Sequence, residues 1–105
     1  MHPKALILGC KGTALDADES RFLSNVNPWG LILFRRNIVD PDQVFKLTRD
    51  FRALVGRDDA PVLIDQEGGR VQRMGPPNWR QYPPAAQYLL AAKGDIKAAA
   101  ELARI

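Results

Sequence analysis

The sequence is poor in the residues on which disulfide bonds and metal sites depend. Its 105 residues include one cysteine and one histidine, which excludes an internal disulfide and any metal site that needs a pair of cysteines or a pair of histidines. No apolar run approaches the ~20 residues of a membrane-spanning helix, and the run before Cys10 is shorter than the ~7–15 residues of an export signal. We therefore predict a cytoplasmic protein from a reducing compartment, with no membrane partner.

Signatures of nucleotide binding and of common hydrolases are missing as well. The chain has no Gly-rich dinucleotide-binding or P-loop sequence, no Cys-x-x-Cys pair and no Gly-x-Ser-x-Gly elbow. The net charge of +3 is a mild excess, and its arginines are spread along the chain, which predicts solvated helix faces rather than a nucleic-acid surface. We predict no metal, no cofactor and no nucleic-acid partner. The arginines in question are Arg21, Arg49, Arg52, Arg57 and Arg80.

The chain does contain a regular alternation of apolar strands and amphipathic helices. Apolar runs at 4–9, 29–34 and 62–65 predict three strands, the first two of them buried and the first covered on both faces. A long polar loop is predicted at 66–84. The order β-α-β-α-β-loop-α predicts a parallel sheet with helices packed outside it. At 105 residues the chain is long enough for one small domain and too short for two.

Capping residues mark the two helices that connect these strands. Asp16 is predicted to cap the first helix, with Glu19 completing a capping box. Asp40 is predicted to cap the second helix, Pro41 to occupy its first position, and Gly56 to end it. Two further helical segments are predicted at 84–92 and 95–105.

Residues 64–73, which run I-D-Q-E-G-G-R-V-Q-R, are the most distinctive stretch of the chain. An apolar strand stops at Asp65, and a Gly-rich turn follows at once. Such a turn places polar groups at the carboxyl end of a sheet, where ligands bind in α/β proteins. Gly68 and Gly69 are predicted to supply positive φ angles and room for close approach. From composition alone, the usual role of an Asp in this position is to cap the turn.

This stretch resembles, almost letter for letter, the D-Q-E-G-G-R-V-x-R signature of bacterial β-N-acetylhexosaminidases, glycoside hydrolases of family 3 that act in peptidoglycan recycling. Residues 31–37 also resemble that family's L-I-L-F-x-R-N segment. The resemblance implies a TIM (β/α)8 barrel, which needs eight strands and roughly 250 residues. Residues 1–105 are therefore predicted to be an incomplete N-terminal portion of the catalytic domain, covering about the first three β/α units.

The resemblance also implies an activity, namely retaining hydrolysis of terminal β-linked N-acetylglucosamine, as in muropeptides, without metal or cofactor. Asp65 is implied to bind hydroxyls of the sugar ring in the −1 subsite, and Arg73 to contact the same sugar. The family's Lys-His-Phe-Pro-Gly-His-Gly segment, its acid/base His and its Asp nucleophile have no counterpart after Arg73. We predict that the catalytic residues lie outside this chain, and that the 105 residues alone are inactive.

Other polar residues are assigned structural roles. A retaining glycosidase needs two carboxyl groups ~5–5.5 Å apart that flank the scissile bond. Asp65 and Glu67 project from one side of one segment, so Glu67 is instead predicted to form an ion pair with Arg70. Arg36 and Asn37, at the end of the second strand, are predicted to support the sugar site from beneath.

A different class of function stays open, an autonomous small α/β module that binds a saccharide or a protein without catalysis. His2 is predicted to be a solvated terminus, and Trp79 and Tyr82 either stack on a sugar or pack their loop. The chain stops within a helical pattern, from which we expect the opening portion of a longer protein. In the natural gene, continuation into a Lys-His-x-Pro-Gly segment favours the enzyme, and a stop codon after the last residue favours the module.

Overall fold

The computed structural model describes residues 2–104 of an α/β protein. Its contacts divide the chain into two units, one ending at Ile64 and one beginning at Asp65. The first unit contains β1 (Lys4–Leu8), α1 (Ala17–Val26), β2 (Pro28–Leu33), α2 (Pro41–Val55) and β3 (Val62–Ile64). The second contains β4 (Gln66–Gly68), β5 (Val71–Gln72), α3 (Ala85–Ala91) and α4 (Ile96–Ala103).

The three strands of the first unit form one parallel sheet in the order β1-β2-β3. Ile7 aligns with Gly30 of β2, and Leu31 aligns with Val62 of β3. Each connection between neighbouring strands passes through a helix, as parallel pairing requires. The predicted parallel sheet is therefore confirmed, and all three strands end at the same sheet edge.

The predicted caps of α1 and α2 are present. The carboxylate of Asp16 accepts a hydrogen bond from the backbone N–H three residues on at 2.8 Å, and Asp40 does the same at 2.8 Å. Gly56 follows α2 with a φ of 66°. The capping box was a wrong prediction, because the Glu19 carboxylate accepts from the backbone N–H of Lys11 at 2.8 Å instead. The loop before α1 supplies a donor within reach of Glu19, and this contact replaces the local one.

The apolar core of the described chain lies in the first unit. One face of β2 and the facing sides of α1 and α2 form it, and the two helices also pack on each other. The buried position of most of the second strand confirms the prediction for it, and Cys10 is buried as well. The core residues are Cys10, Leu23, Leu31, Leu33, Leu47, Phe51 and Ala60.

The prediction that the first strand is covered on both faces is wrong for the described chain. Leu6 is 43% exposed and Ile7 is 44% exposed, and Trp29 beside them in β2 is 45% exposed. The strand pairs with β2 alone, and no described element of this unit covers these side chains. The apolar sequence of β1 predicts a strand that is packed on both faces, and the described residues of this unit leave most of its side chains exposed.

Two of the arginines assigned to solvated helix faces bind backbone carbonyls instead. Arg52 donates from Nε to the carbonyl of Ala60 at 3.0 Å. Arg57 donates to the carbonyls of Trp29, at 3.2 Å, and of Pro28. A guanidinium has five N–H donors in a fixed plane, so these side chains tie the end of α2 and the loop after it to the rest of the unit.

The second unit opens with a β-hairpin, where the sequence predicted a structureless loop at 66–84. β4 and β5 are antiparallel, and Gln66 pairs with Gln72. Gly68, the last residue of β4, and Gly69, which follows it, adopt left-handed backbone conformations that turn the chain. α3 and α4 pack on each other and confirm the two predicted helical segments, although residue 105 lies outside the described residues. None of the helices within residues 2–104 is long and apolar enough to cross a membrane.

Candidate functional site

Asp65 and Arg73, the two residues implied to bind sugar, lie next to each other in the second unit. Asp65 directly precedes β4, and Arg73 directly follows β5, so the antiparallel pairing brings them together. The Arg73 Nη2 atom lies 3.6 Å from Asp65 Oδ2. The Asp65 side chain is 47% exposed and that of Arg73 is 25% exposed. The Asp65 carboxylate is therefore accessible to a ligand, and the Arg73 guanidinium lies beside it.

This pair offers a complementary set of hydrogen-bonding groups. A carboxylate only accepts hydrogen bonds and a guanidinium only donates them. A hydroxyl group does both, so two neighbouring hydroxyls of a sugar can donate to Asp65 and accept from Arg73. Bonds to charged partners are also the stronger ones. The arrangement can therefore hold a polyol.

The ion pair predicted between Glu67 and Arg70 is absent from the described structure. Both side chains are exposed, and no oxygen of Glu67 lies within salt-bridge distance of Arg70. Arg70 belongs to the turn between β4 and β5, where both side chains extend into water. An exposed pair of this kind contributes little free energy, so nothing holds the two side chains together.

The two glycines of the hairpin confirm their predicted roles. Gly68 has a φ of +87°, and a Cβ atom on it would lie 2.2 Å from the carbonyl oxygen of Pro83. Gly69 has a φ of +62°, and its N–H donates to the carbonyl of Tyr82 at 2.7 Å. Only glycine combines this backbone conformation with so close an approach. The hairpin is therefore fastened to the segment at 82–84.

Gln72, a residue for which no role was predicted, binds the same segment from its buried side. Its side chain is 1% exposed. Its Nε2 donates to the carbonyls of Met74, at 2.7 Å, and Arg80, at 2.8 Å. Its Oε1 accepts from the backbone N–H of Tyr82 at 2.9 Å. Nothing in the sequence distinguishes this glutamine from an exposed one, because the carbonyls that satisfy it are placed by the fold.

Gln66 is the second glutamine that sequence reasoning missed. Its Nε2 donates to the carbonyl of Met74 at 2.7 Å. Its Oε1 accepts from the backbone N–H groups of Arg73, at 3.0 Å, and Met74, at 3.1 Å. Unlike Gln72 it is exposed. The side chain thus contacts the backbone of one of the two candidate sugar-binding residues.

Asn37 and Arg36 support the loop that follows β1. The Asn37 amide is buried and donates to the carbonyls of Gly12, at 2.7 Å, and Cys10, at 3.1 Å. Arg36 donates from Nε to the same Cys10 carbonyl at 3.1 Å. Burial raises the pKa of the Cys10 thiol, and the charge of Glu19 adds to the effect. These contacts give both side chains a structural role, while their place beneath a sugar site stays a prediction.

The remaining candidates divide between exposed and packed positions. Tyr82 is 40% exposed, and the guanidinium of Arg80 lies 5.2 Å from the centre of its ring. Trp79 is half-buried and His2 is exposed. Across residues 2–104, no group of three or more His, Cys, Asp or Glu side chains could hold a metal ion.

Comparison with known proteins assigns the chain to a family. It is 45% identical, over 92 residues, to a β-hexosaminidase of Methylococcus capsulatus, a match that covers 88% of this chain and 27% of the relative. The chain belongs to the β-hexosaminidase family. No family model matches the sequence. The hexosaminidases matched include one from Psychromonas ingrahamii, which is 37% identical over 95% of this chain and 28% of the relative.

Solved structures agree with this assignment. NagZ from Neisseria gonorrhoeae in complex with N-trifluoroacetyl-D-glucosamine aligns with a TM-score of 0.75 and 29% identity, over 91% of this chain and 28% of NagZ. A glycoside hydrolase family 3 β-N-acetylglucosaminidase from Paenibacillus aligns with a TM-score of 0.68 and 30% identity, over 88% of this chain and 18% of that protein. The chain corresponds to an N-terminal region of these hexosaminidases. It spans about 27% of the length of the Methylococcus capsulatus relative.

Proposed function

We propose that this chain is the N-terminal part of a glycoside hydrolase that removes terminal β-linked N-acetylglucosamine with retention of configuration. Its relatives are named β-hexosaminidases, and the NagZ of Neisseria gonorrhoeae binds an N-acylglucosamine. We propose muropeptides as substrates and peptidoglycan recycling in the cytoplasm as the setting. Residues 1–105 would supply about the first three β/α units of an incomplete TIM-barrel domain.

The observation that carries this proposal is the pairing of Asp65 with Arg73. The carboxylate is half exposed and stands 3.6 Å from the guanidinium. In the proposed complex Asp65 accepts hydrogen bonds from hydroxyls of the sugar in the −1 subsite, and Arg73 donates to the same ring. These contacts fix the sugar ring, so that reacting groups placed elsewhere in the protein meet the anomeric carbon in a productive orientation.

The catalytic groups are proposed to lie outside this chain. Retaining hydrolysis needs a nucleophile and an acid/base group that flank the scissile bond. Glu67 and Asp65 belong to a single short segment, and the Glu67 side chain is exposed. This chain therefore contributes binding and orientation, and the bond-breaking groups come from the rest of the protein.

Substitution of Asp65 in the full-length protein tests the proposal. We expect Asp65→Ala to lower kcat/KM for a chromogenic β-N-acetylglucosaminide by at least about tenfold. A hydrogen bond to a charged group contributes roughly 1.5–3 kcal/mol, and about 1.4 kcal/mol corresponds to a factor of ten in rate. Glu67→Gln is the matched control, because it neutralises an exposed carboxylate of the same segment and should cost far less activity.

Two results would contradict the assignment. Azide can replace a missing carboxylate nucleophile, so recovery of turnover in Asp65→Ala on addition of azide would make Asp65 the nucleophile. Equal losses in Asp65→Ala and Glu67→Gln would remove the special role of Asp65. A full-length protein that hydrolyses no β-N-acetylglucosaminide would overturn the proposed function as a whole.

A further inference from the structure

We infer that Gln66 is a positioning residue for Arg73, acting through the backbone of residues 73 and 74. The inference rests on the proposed function, because it assigns a task within the same sugar-binding site. Gln66 follows Asp65 in the chain, so it stands beside one member of the pair and binds the peptide groups of the other. It makes no direct contact with the substrate in this proposal.

The backbone pairing of the hairpin stops just before Arg73. The last pair on this side joins Gln66 and Gln72, and Arg73 and Met74 lie beyond it. Beyond the end of the backbone pairing, the side-chain carboxamide of Gln66 forms the hydrogen bonds to residues 73 and 74. It donates to the Met74 carbonyl at 2.7 Å and accepts from the N–H groups of Arg73 and Met74 at 3.0 and 3.1 Å.

A glutamine is suited to this task because its carboxamide presents a donor and an acceptor together. A glutamate in its place would keep the acceptors and lose the donor, and its charge would face the Met74 carbonyl. An asparagine is shorter by one methylene group. Both Gln66 and the buried Gln72 donate to Met74, so the residue after Arg73 is held from two sides.

Holding these peptide groups in place fixes the position from which the Arg73 side chain extends. The Cα atom of Arg73 lies between the two N–H groups that Gln66 binds, and its guanidinium reaches to 3.6 Å from Asp65. If this part of the backbone moves, the guanidinium moves with it. A misplacement of about 1 Å can cost an enzyme roughly a hundredfold in rate.

Gln66 is also the member of this network that can be changed with little damage to the fold. Removal of the Gln72 side chain would leave the carbonyl of Arg80 and the N–H of Tyr82 without this hydrogen-bond partner. It would also leave a cavity where the side chain had been. Gln66 is exposed, and the hydrogen bonds of its side chain go to residues 73 and 74. Its substitution therefore isolates the positioning effect.

A double-mutant cycle in the full-length protein tests the inference. We expect Gln66→Ala to lower kcat/KM for a chromogenic β-N-acetylglucosaminide by roughly tenfold, within the range that small misplacements produce. In an Arg73→Ala background the same change should alter kcat/KM by less than about twofold, because residues that act through one another are not additive. Gln87→Ala, which alters an exposed glutamine of α3, is the control and should leave kcat/KM unchanged in both backgrounds.

Amide hydrogen exchange supplies a readout that needs no substrate. The amides of Arg73 and Met74 should exchange faster in Gln66→Ala than in the parent protein, and those of α3 should not change. Losses that multiply in the double mutant, unchanged exchange at 73 and 74, or collapse of the fold would each overturn the positioning role. If the parent protein cleaves β-N-acetylglucosaminides, such a result leaves the proposed function standing. An inactive parent removes the proposed function, and this inference with it.

Discussion

At the scale of single residues, Gly68 combines a left-handed backbone conformation with a steric constraint. Its φ of +87° lies in the left-handed region, and a Cβ atom would meet the Pro83 carbonyl oxygen at 2.2 Å. Gly56 shares only the first constraint, since its φ is +66° and no atom lies within 4 Å of its Cβ position. Comparison of Gly68 with Gly56 therefore separates the cost of the backbone conformation from the cost of the steric contact.

We expect Gly68→Ala to destabilise the protein clearly more than Gly56→Ala. The left-handed conformation alone costs an alanine roughly 1–2 kcal/mol, which is the expected loss at Gly56. At Gly68 the backbone of the hairpin must also move away from Pro83, and this separation adds to the cost. Urea unfolding of the two variants measures the difference. Similar free energies of unfolding would show that the hairpin yields freely and that the contact with Pro83 is not a constraint.

At the scale of elements, the first turn of α1 is stabilised by an ionised cap. The backbone N–H of Glu19 and the ammonium group of Lys11 bind the Asp16 carboxylate, and together they lower the pKa of Asp16 from its ordinary value of 3.8. The same contact raises the pKa of Lys11. The ionised cap also lies at the positive end of the helix dipole, which favours its charge.

The pH dependence of this cap has a definite sign. A pKa lowered by folding means that the contribution is present above the unfolded value near 3.8 and is lost as the pH falls through the lower folded value. We expect the Tm of the parent protein to exceed that of Asp16→Asn at neutral pH, and the difference to shrink as the pH falls below 3.8. Thermal melts of both proteins over this range provide the measurement, with Asp59→Asn in an exposed turn as the control. A difference that grows in acid would refute the assignment.

The caps also show which features the sequence alone could predict. Asp16, Asp40 and Gly56 were found because each bonds within a few residues of itself, so a local pattern contains all the information. The partner of Glu19 is eight residues away, and its identity depends on the path of the loop. Local chemistry could not choose between the capping box and this more distant donor.

The candidate site likewise has some features that the sequence could predict and others that depend on the fold. The sequence singled out Asp65 and Arg73 through a resemblance, and their proximity follows from the hairpin, which the sequence did not predict. The partners of Gln72 are as far as ten residues from it. Such contacts become visible only when the register of β4 and β5 is known, and a shift of one residue would turn each side chain to the other face.

At the scale of the whole molecule, the β1 edge of the parallel sheet presents exposed apolar side chains. Within residues 2–104, β1 has a neighbouring strand on one side only, and both Leu6 and Ile7 are more than two-fifths exposed. An apolar edge strand with unpaired N–H and C=O groups invites pairing with another chain. The isolated 105-residue chain therefore presents a surface that favours self-association.

We expect the isolated chain to associate in a concentration-dependent manner. Sedimentation velocity over a range of concentrations measures this, and Ile7→Lys should weaken the association because a charge at an edge strand opposes pairing. Phe45→Lys, at a position on α2 that is 67% exposed, is the control and should have a smaller effect. A monomer with a sharp cooperative melt at every concentration would contradict this expectation and support an autonomous binding module.

The proposal that this chain binds the sugar and that the rest of the protein supplies the catalytic groups leads to a last prediction. The isolated chain should release no product from a chromogenic β-N-acetylglucosaminide, because acid/base and nucleophilic groups are both needed and both are proposed to lie elsewhere. The full-length protein at equal concentration is the positive control. The decisive measurement compares the isolated chain with its Asp65→Ala variant, since a contaminating hydrolase would act equally in both samples. Hydrolysis that the chain shows and the variant lacks would place a complete catalytic centre within these residues, and Asp65 would then take part in the chemistry.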